Sequence, residues 1–311
     1  MIRSGIPILA AAIALQATPP QSQTFRSRSD MVPLFVTATD KSGHLITDLT
    51  RGDFQIDDNG KPQPVIVFDN SPQPLRLIVL IDISGSMRDN LPLLRAATSE
   101  LLKNLREGDL ARVGTFGDEI SLSPEFTRDA GALVSWLPSA VTKEQSTPLW
   151  RSMDTAIGEL AKTKEGRRVV LVLSDSKDSA AGKFRTKYIS QIEVSDRAQE
   201  EDVMVYGVGV YSSLRSAMQS GAPTLGGMMA STIPDPGLGN VAQNTGGGYF
   251  ELRGRDDLSA TFARVAEELH QQYLIGFAPP ARDGKVHKVE LRVQRKDVKA
   301  RVRKSYTAPK S

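Results

Sequence analysis

The run Leu77-Ile78-Val79-Leu80-Ile81 is apolar at every position and stops at Asp82-Ile83-Ser84-Gly85-Ser86-Met87. An unbroken Leu/Ile/Val stretch of strand length predicts a β-strand covered on both faces, as in a parallel sheet. Arg168-Val169-Val170-Leu171-Val172-Leu173-Ser174 has the same character, and 109–116 and 203–210 read as two further strands. Between these runs the apolar period lengthens. Leu91, Leu94, Ala97, Leu101, Leu102 and Leu105 recur at helical spacing. Helices are also predicted over 129–137, 147–161, 188–201, 239–243 and 256–271, with a short strand at 248–252. Strands alternating with helices predict an α/β fold with a doubly wound, mostly parallel sheet flanked by helices.

The two ends of the chain follow another rhythm. Residues 31–70 alternate like short strands, with turns at Asp40-Lys41-Ser42-Gly43 and Asp57-Asp58-Asn59-Gly60. Asn70-Ser71-Pro72-Gln73-Pro74 then forms an extended linker. The α/β domain is expected over 75–271. A C-terminal β segment over 272–307 carries strands at 273–277, 285–293 and 298–305, and is expected to join the N-terminal segment in an accessory β module. Ser212–Pro236 is rich in Gly, Ser, Met and Pro and reads as a loop. At the start, Met1-Ile2-Arg3, an apolar stretch from Ile6 to Ala17, and a small polar stretch after it predict a signal peptide over 1–23. The apolar stretch is too short to span a bilayer, which needs roughly 20 residues. The mature chain is therefore expected to be exported, to the periplasm, the cell surface or the medium.

The composition, 40% hydrophobic and 24% charged over 311 residues, is that of a globular protein. No cysteine is present, which excludes disulfides, thiolate metal sites and cysteine nucleophiles. The three histidines, His44, His270 and His287, are far apart, so a histidine site requires the fold to gather them. Charge is uneven: residues 281–311 hold eleven Lys/Arg against three Asp/Glu. These charges alternate with Val286, Val289, Leu291, Val293, Val298 and Val302, which predicts solvated strand faces rather than a nucleic-acid or membrane patch.

Asp82, Ser84 and Ser86 occupy the carboxyl end of a buried strand, where open α/β sheets bind ligands. As alternate residues in a tight turn they can aim three oxygens at one point. Carboxylate and hydroxyl oxygens suit Mg²⁺, Mn²⁺ or Ca²⁺ rather than Zn²⁺. Thr147 is placed at the start of a predicted helix and Asp175 just past the strand 168–174, so both are expected at the same edge. Without a metal, Asp82, Ser84 and Ser86 would read as a helix-capping cluster, Thr147 as a plain cap and Asp175 as a loop carboxylate.

Together, Asp82-x-Ser84-x-Ser86, Thr147 and Asp175 resemble the metal-ion-dependent adhesion site of von Willebrand factor type A domains, over residues 75–271. The layout is similar to a bacterial exported subgroup of that family. The pieces are Leu49-Thr50-Arg51-Gly52-Asp53-Phe54, Asp58-Asn59-Gly60-Lys61-Pro62-Gln63, Thr245-Gly246-Gly247 and Gln272-Tyr273-Leu274-Ile275-Gly276-Phe277-Ala278-Pro279. The resemblance implies that Ser84, Ser86 and Thr147 bring hydroxyls to Mg²⁺ (or Mn²⁺ or Ca²⁺). Asp82 and Asp175 would bind it directly or through water, and a partner protein would supply an Asp or Glu carboxylate. It implies no enzyme. The chain departs from the family where Ser176-Lys177-Asp178 follows Asp175 in place of glycine, and where Ser146 and Pro148 flank Thr147. Asp178 is a second candidate ligand. Two other functions remain open: a metal-independent interaction protein with a degenerate site, and a metal-dependent hydrolase. The first predicts partner binding that survives chelator, and the second a turnover lost in Asp82→Ala. No Gly-x-Ser-x-Gly elbow surrounds Ser84, and no Walker loop is present.

Overall fold

A computed structural model describes residues 31–141, 146–175, 177–179, 188–211, 233–252 and 258–310. The predicted signal segment 1–23, residues 212–232 of the predicted loop 212–236, the start of the last helix at 256 and Ser176 lie outside the described residues.

The central sheet has six strands: β5 (Leu75–Asp82), β6 (Leu110–Phe116), β7 (Ile120–Leu122), β8 (Arg167–Ser174), β9 (Val203–Val210) and β10 (Tyr249–Leu252). Their order is β10-β9-β8-β5-β6-β7, parallel throughout except for the β6–β7 pair, so the expected doubly wound α/β architecture is present. The period of two decides which side each residue covers. Leu75, Leu77, Val79 and Ile81 enter one core with α1 (Leu91–Lys103), α2 (Ala130–Trp136) and α6 (Leu258–His270). Ile78 and Leu80 enter the opposite core with α3 (Leu149–Ala161), α4 (Gln191–Glu200) and α5 (Gly237–Thr245). Because both faces are covered, a polar residue on these strands has only the strand ends in which to reach a ligand.

The β segments at the two ends interleave. One four-stranded sheet runs β13 (Lys299–Arg301), β1 (Val32–Thr39), β11 (Tyr273–Phe277), β4 (Val67–Asp69). The other runs β14 (Ser305–Thr307), β12 (Val286–Val293), β2 (Phe54–Asp58), β3 (Lys61–Gln63). Leu34, Ile56, Tyr273, Ile275, Phe277 and Tyr306 close a third core between them. Residues 298–305, expected as one strand, divide into β13 and β14. Arg303 breaks the strand: it turns inward and donates to Asp202 and to the carbonyl of Pro33, both at 2.8 Å. The helix expected from 188 starts at Gln191, because Ser190 and Glu193 form a reciprocal capping box. Strands β3 and β7 have no counterpart in the predicted elements, and Asp57 and Asp58, expected in a turn, continue β2 opposite β12.

Asp109 ties this frame together at the edge opposite the carboxyl ends of the strands. It accepts from Leu75 N–H at 2.9 Å and from Arg106 N–H at 2.7 Å, and bonds to His270 Nε2 at 2.8 Å. Burial raises its pKa, but the His270 and backbone donors outweigh this, and the net direction is downward. The folded state then binds fewer protons than the unfolded chain. The contribution is therefore present above the usual carboxylate range and is lost as pH falls through it. Asp109→Asn is expected to cost about 2 kcal/mol at neutral pH. Its melting temperature should also fall less steeply than wild type between neutral pH and pH ~3, measured calorimetrically.

Candidate functional site

Strands β5 and β8 are parallel neighbours, with Ile81 opposite Leu173, so their ends bring Asp82 beside Ser174 and Asp175. Asp82 is 0% and Asp175 2% exposed. Ser84 and Thr147 are buried and Ser86 half-buried. Asp82 Oδ1 accepts from Ser84 N–H at 2.8 Å, and Oδ2 accepts from the Ser174 hydroxyl at 2.6 Å. The Ser84 and Ser86 hydroxyls lie 3.1 Å apart. Although Ser84 precedes a short 3₁₀ helix, Gly85–Asn90, its side chain makes no capping bond. The hydroxyl instead meets that of Ser86, which does not fit a simple capping cluster.

Thr147 sits two residues before α3 rather than inside its first turn, because Pro148 occupies the cap position without a side-chain bond. The cap is supplied from elsewhere. Asp178 accepts from the backbone N–H groups of Leu149 and Trp150, and burial raises its pKa in spite of them. The structure therefore places this carboxylate at the start of α3. Asp178→Ala is expected to cost about 1 kcal/mol, seen as a fall of roughly 2–4 °C in melting temperature. The next residue, Ser179, brackets Thr147: its hydroxyl accepts from Thr147 N–H at 2.9 Å and its N–H donates to the Thr147 carbonyl at 3.0 Å. Asp118, in the β6–β7 turn, accepts from both the N–H and the hydroxyl of Ser146 at 2.9 Å. The unusual residues around Thr147 and Asp175 thus clasp the two loops together. Lys177 contributes its backbone, its N–H lying 3.4 Å from Asp175 Oδ1.

The electrostatics follow from burial. Asp82 is pushed up to about 7, first by removal from water and then by the neighbouring charge of Asp175, against the hydrogen bonds from Ser174 and Ser84. Two buried carboxylates that repel each other, beside clustered hydroxyls, are hard oxygen donors of the kind a divalent cation of the Mg²⁺ type takes. Among the described residues no three His, Asp or Glu side chains form a metal-holding group, so such a site would depend on its hydroxyls. The histidines are not gathered: His44 bonds Asp40, His270 bonds Asp109 and His287 bonds Asp58. Ser174, Asp118 and Ser179 did not stand out in the sequence. Ser174 alone left a signal, as the polar residue closing a buried apolar run next to Asp175.

A doubly wound sheet with an oxygen cluster at the carboxyl ends of its strands defines a recognisable class of α/β domain. The von Willebrand factor type A domain model matches residues 77–236, just over half of the chain, and the protein belongs to that family. No curated protein matches the chain. Among solved structures it is similar to a von Willebrand factor type A protein from Catenulispora acidiphila, at 12% identity and TM-score 0.49, covering 92% of this chain and 76% of that one. It is also similar to the conserved hypothetical protein BatB of Bacteroides thetaiotaomicron, at 15% identity and TM-score 0.45, covering 62% and 98%. A third is the domain of the type V pili tip protein Mfa5 from Porphyromonas gingivalis, at 11% identity and TM-score 0.43, covering 63% and 95%. None of the three carries the family assignment, which rests on the domain match.

Proposed function

We propose that this protein is an exported, non-enzymatic, protein-binding module that engages its partner through a divalent cation. Asp82, Ser84, Ser86, Thr147 and Asp175 would hold Mg²⁺, or Mn²⁺ or Ca²⁺. The ion would supply positive charge able to accept an Asp or Glu carboxylate from a partner protein. The observation that carries this reading is the pair of buried, mutually repelling carboxylates, Asp82 and Asp175. A bound dication relieves that repulsion, and neutral hydroxyls complete its shell without adding charge. The chain's own residues orient the donors: Ser84 N–H and the Ser174 hydroxyl fix Asp82, while Ser179 and Asp118 fix the Thr147 segment. Export is supported by the charged, apolar and then small-polar order of residues 1–23. No helix among the described residues is long and apolar enough to cross a membrane.

The test is calorimetric titration of chelator-stripped protein with MgCl₂ and MnCl₂. One ion per chain is expected. Thr147→Ala should weaken binding by ~10-fold or more and Asp175→Ala should remove it, both with the far-UV spectrum intact. Unchanged affinity in both variants refutes the assignment. Partner capture from an envelope fraction that survives excess chelator points instead to a metal-independent interaction protein.

A further inference from the structure

Ser174 is the last residue of β8 and is fully buried, and its hydroxyl donates to Asp82 Oδ2 at 2.6 Å. With Ser84 N–H on Oδ1, both oxygens of the Asp82 carboxylate are held by donors. An ionised carboxylate has about four lone-pair sites, so two such bonds still leave room for an ion. The two donors hold different things. Ser84 N–H belongs to the same turn as Asp82 and fixes the carboxylate relative to its own chain. Ser174 belongs to the neighbouring strand, 92 residues away, and Asp175 follows it directly. Its hydroxyl therefore ties one carboxylate to the backbone that carries the other, against the repulsion between them.

We propose that Ser174 is a positioning residue for the cation site, holding Asp82 at the separation from Asp175 that one divalent ion requires; this rests on the cation-binding reading above. Outer groups that orient metal ligands change affinity by ~10–100-fold when removed. A hydroxyl that only satisfies a strand end changes stability and leaves affinity alone. Ser195 provides the contrast: it is buried on α4, and its hydroxyl accepts from Asn244 Nδ2 at 3.2 Å, away from the cluster.

The experiment is Mn²⁺ titration, by calorimetry and by electron paramagnetic resonance of free Mn²⁺, on chelator-stripped full-length wild type, Ser174→Ala and Ser195→Ala. Melting temperatures are taken without metal. Ser174→Ala should bind Mn²⁺ ~10–100-fold more weakly while its metal-free melting temperature stays within a few degrees of wild type. Ser195→Ala should bind Mn²⁺ as wild type does. If Ser174→Ala does not fold, Ser174→Cys, close in size and a weaker donor, takes its place and must also weaken binding. Wild-type affinity in the folded Ser174 variant overturns the role of Ser174 while the cation-binding reading stands. Wild-type protein that takes up no Mn²⁺ overturns that reading, and this proposal with it.

Discussion

Asp82→Asn is expected to stabilise the chelator-treated protein and to remove the stabilisation that Mg²⁺ confers. The substitution takes one negative charge out of a buried pair. The amide oxygen can still accept from Ser84 N–H, and the amide nitrogen can donate to the Ser174 hydroxyl, so the hydrogen-bonded frame survives. What is lost is the burden expressed in the rise of Asp82 to about 7, which burial and the neighbouring charge of Asp175 impose. The metal-free melting temperature should therefore rise by several degrees. Wild type should more than recover the difference on adding metal, because a ligand bound only by the folded state contributes about 4.1 kcal/mol at a thousandfold excess over its Kd. The two proteins should thus exchange rank between chelator and saturating Mg²⁺, read by differential scanning calorimetry at fixed ionic strength. A variant that is less stable than wild type in chelator, yet gains equally from Mg²⁺, would sink the idea that Asp82 and Asp175 are a cation's paired carboxylates.

The legible parts of this fold are those whose cause is local. Val79 and Leu80 face opposite cores because neighbouring strand residues point to opposite faces, and an apolar residue at every position records this directly. The edge at which Asp82 and Asp175 meet follows from the parallel order of two such runs. The clasp around them was hidden for the opposite reason. Ser174 reaches Asp82 across 92 positions and Ser146 reaches Asp118 across 28, and nothing in the local pattern of either segment records such a pairing. Thr147 is expected to open α3 and lies two residues before it, since a threonine before proline looks like a cap until Asp178 is seen to do that work. The pairing of the two end segments is foreseen but their division into two sheets is not, because β1 meets β11, and β2 meets β12, across the whole intervening α/β domain, with no local pattern to record the partner.

Gly247→Ala should prevent folding, and the reason lies in backbone rather than side chains. α5 ends at Thr245, whose hydroxyl accepts from Val205 N–H at 3.0 Å. Gly246 then turns the chain with φ +84°, and Gly247 N–H returns to the Ala242 carbonyl at 2.9 Å. This brings Gly247 so close to β9 that a Cβ would lie 1.9 Å from the Val205 carbonyl oxygen. Val205 cannot retreat: it is fully buried in an interior strand and paired with Val170 on β8. Relief would have to come from moving α5 away from β9, and Asn244 on α5 also accepts from Lys304 N–H of the tail at 3.0 Å. The strain therefore reaches the central sheet and the accessory sheets together. A loss of more than about 4 kcal/mol is expected, with the protein recovered as insoluble or without a cooperative urea transition. Gly60→Ala makes the comparison specific, because no atom lies within 4 Å of a Cβ there and only the strain of φ +76° remains, about 1–2 kcal/mol. If Gly247→Ala melted within a few degrees of wild type, the close approach of α5 to β9 would be wrong. The join between the α/β domain and the tail would then rest on side-chain contacts, Arg303 to Asp202, Arg301 to Glu268 and Ser305 to Gln199.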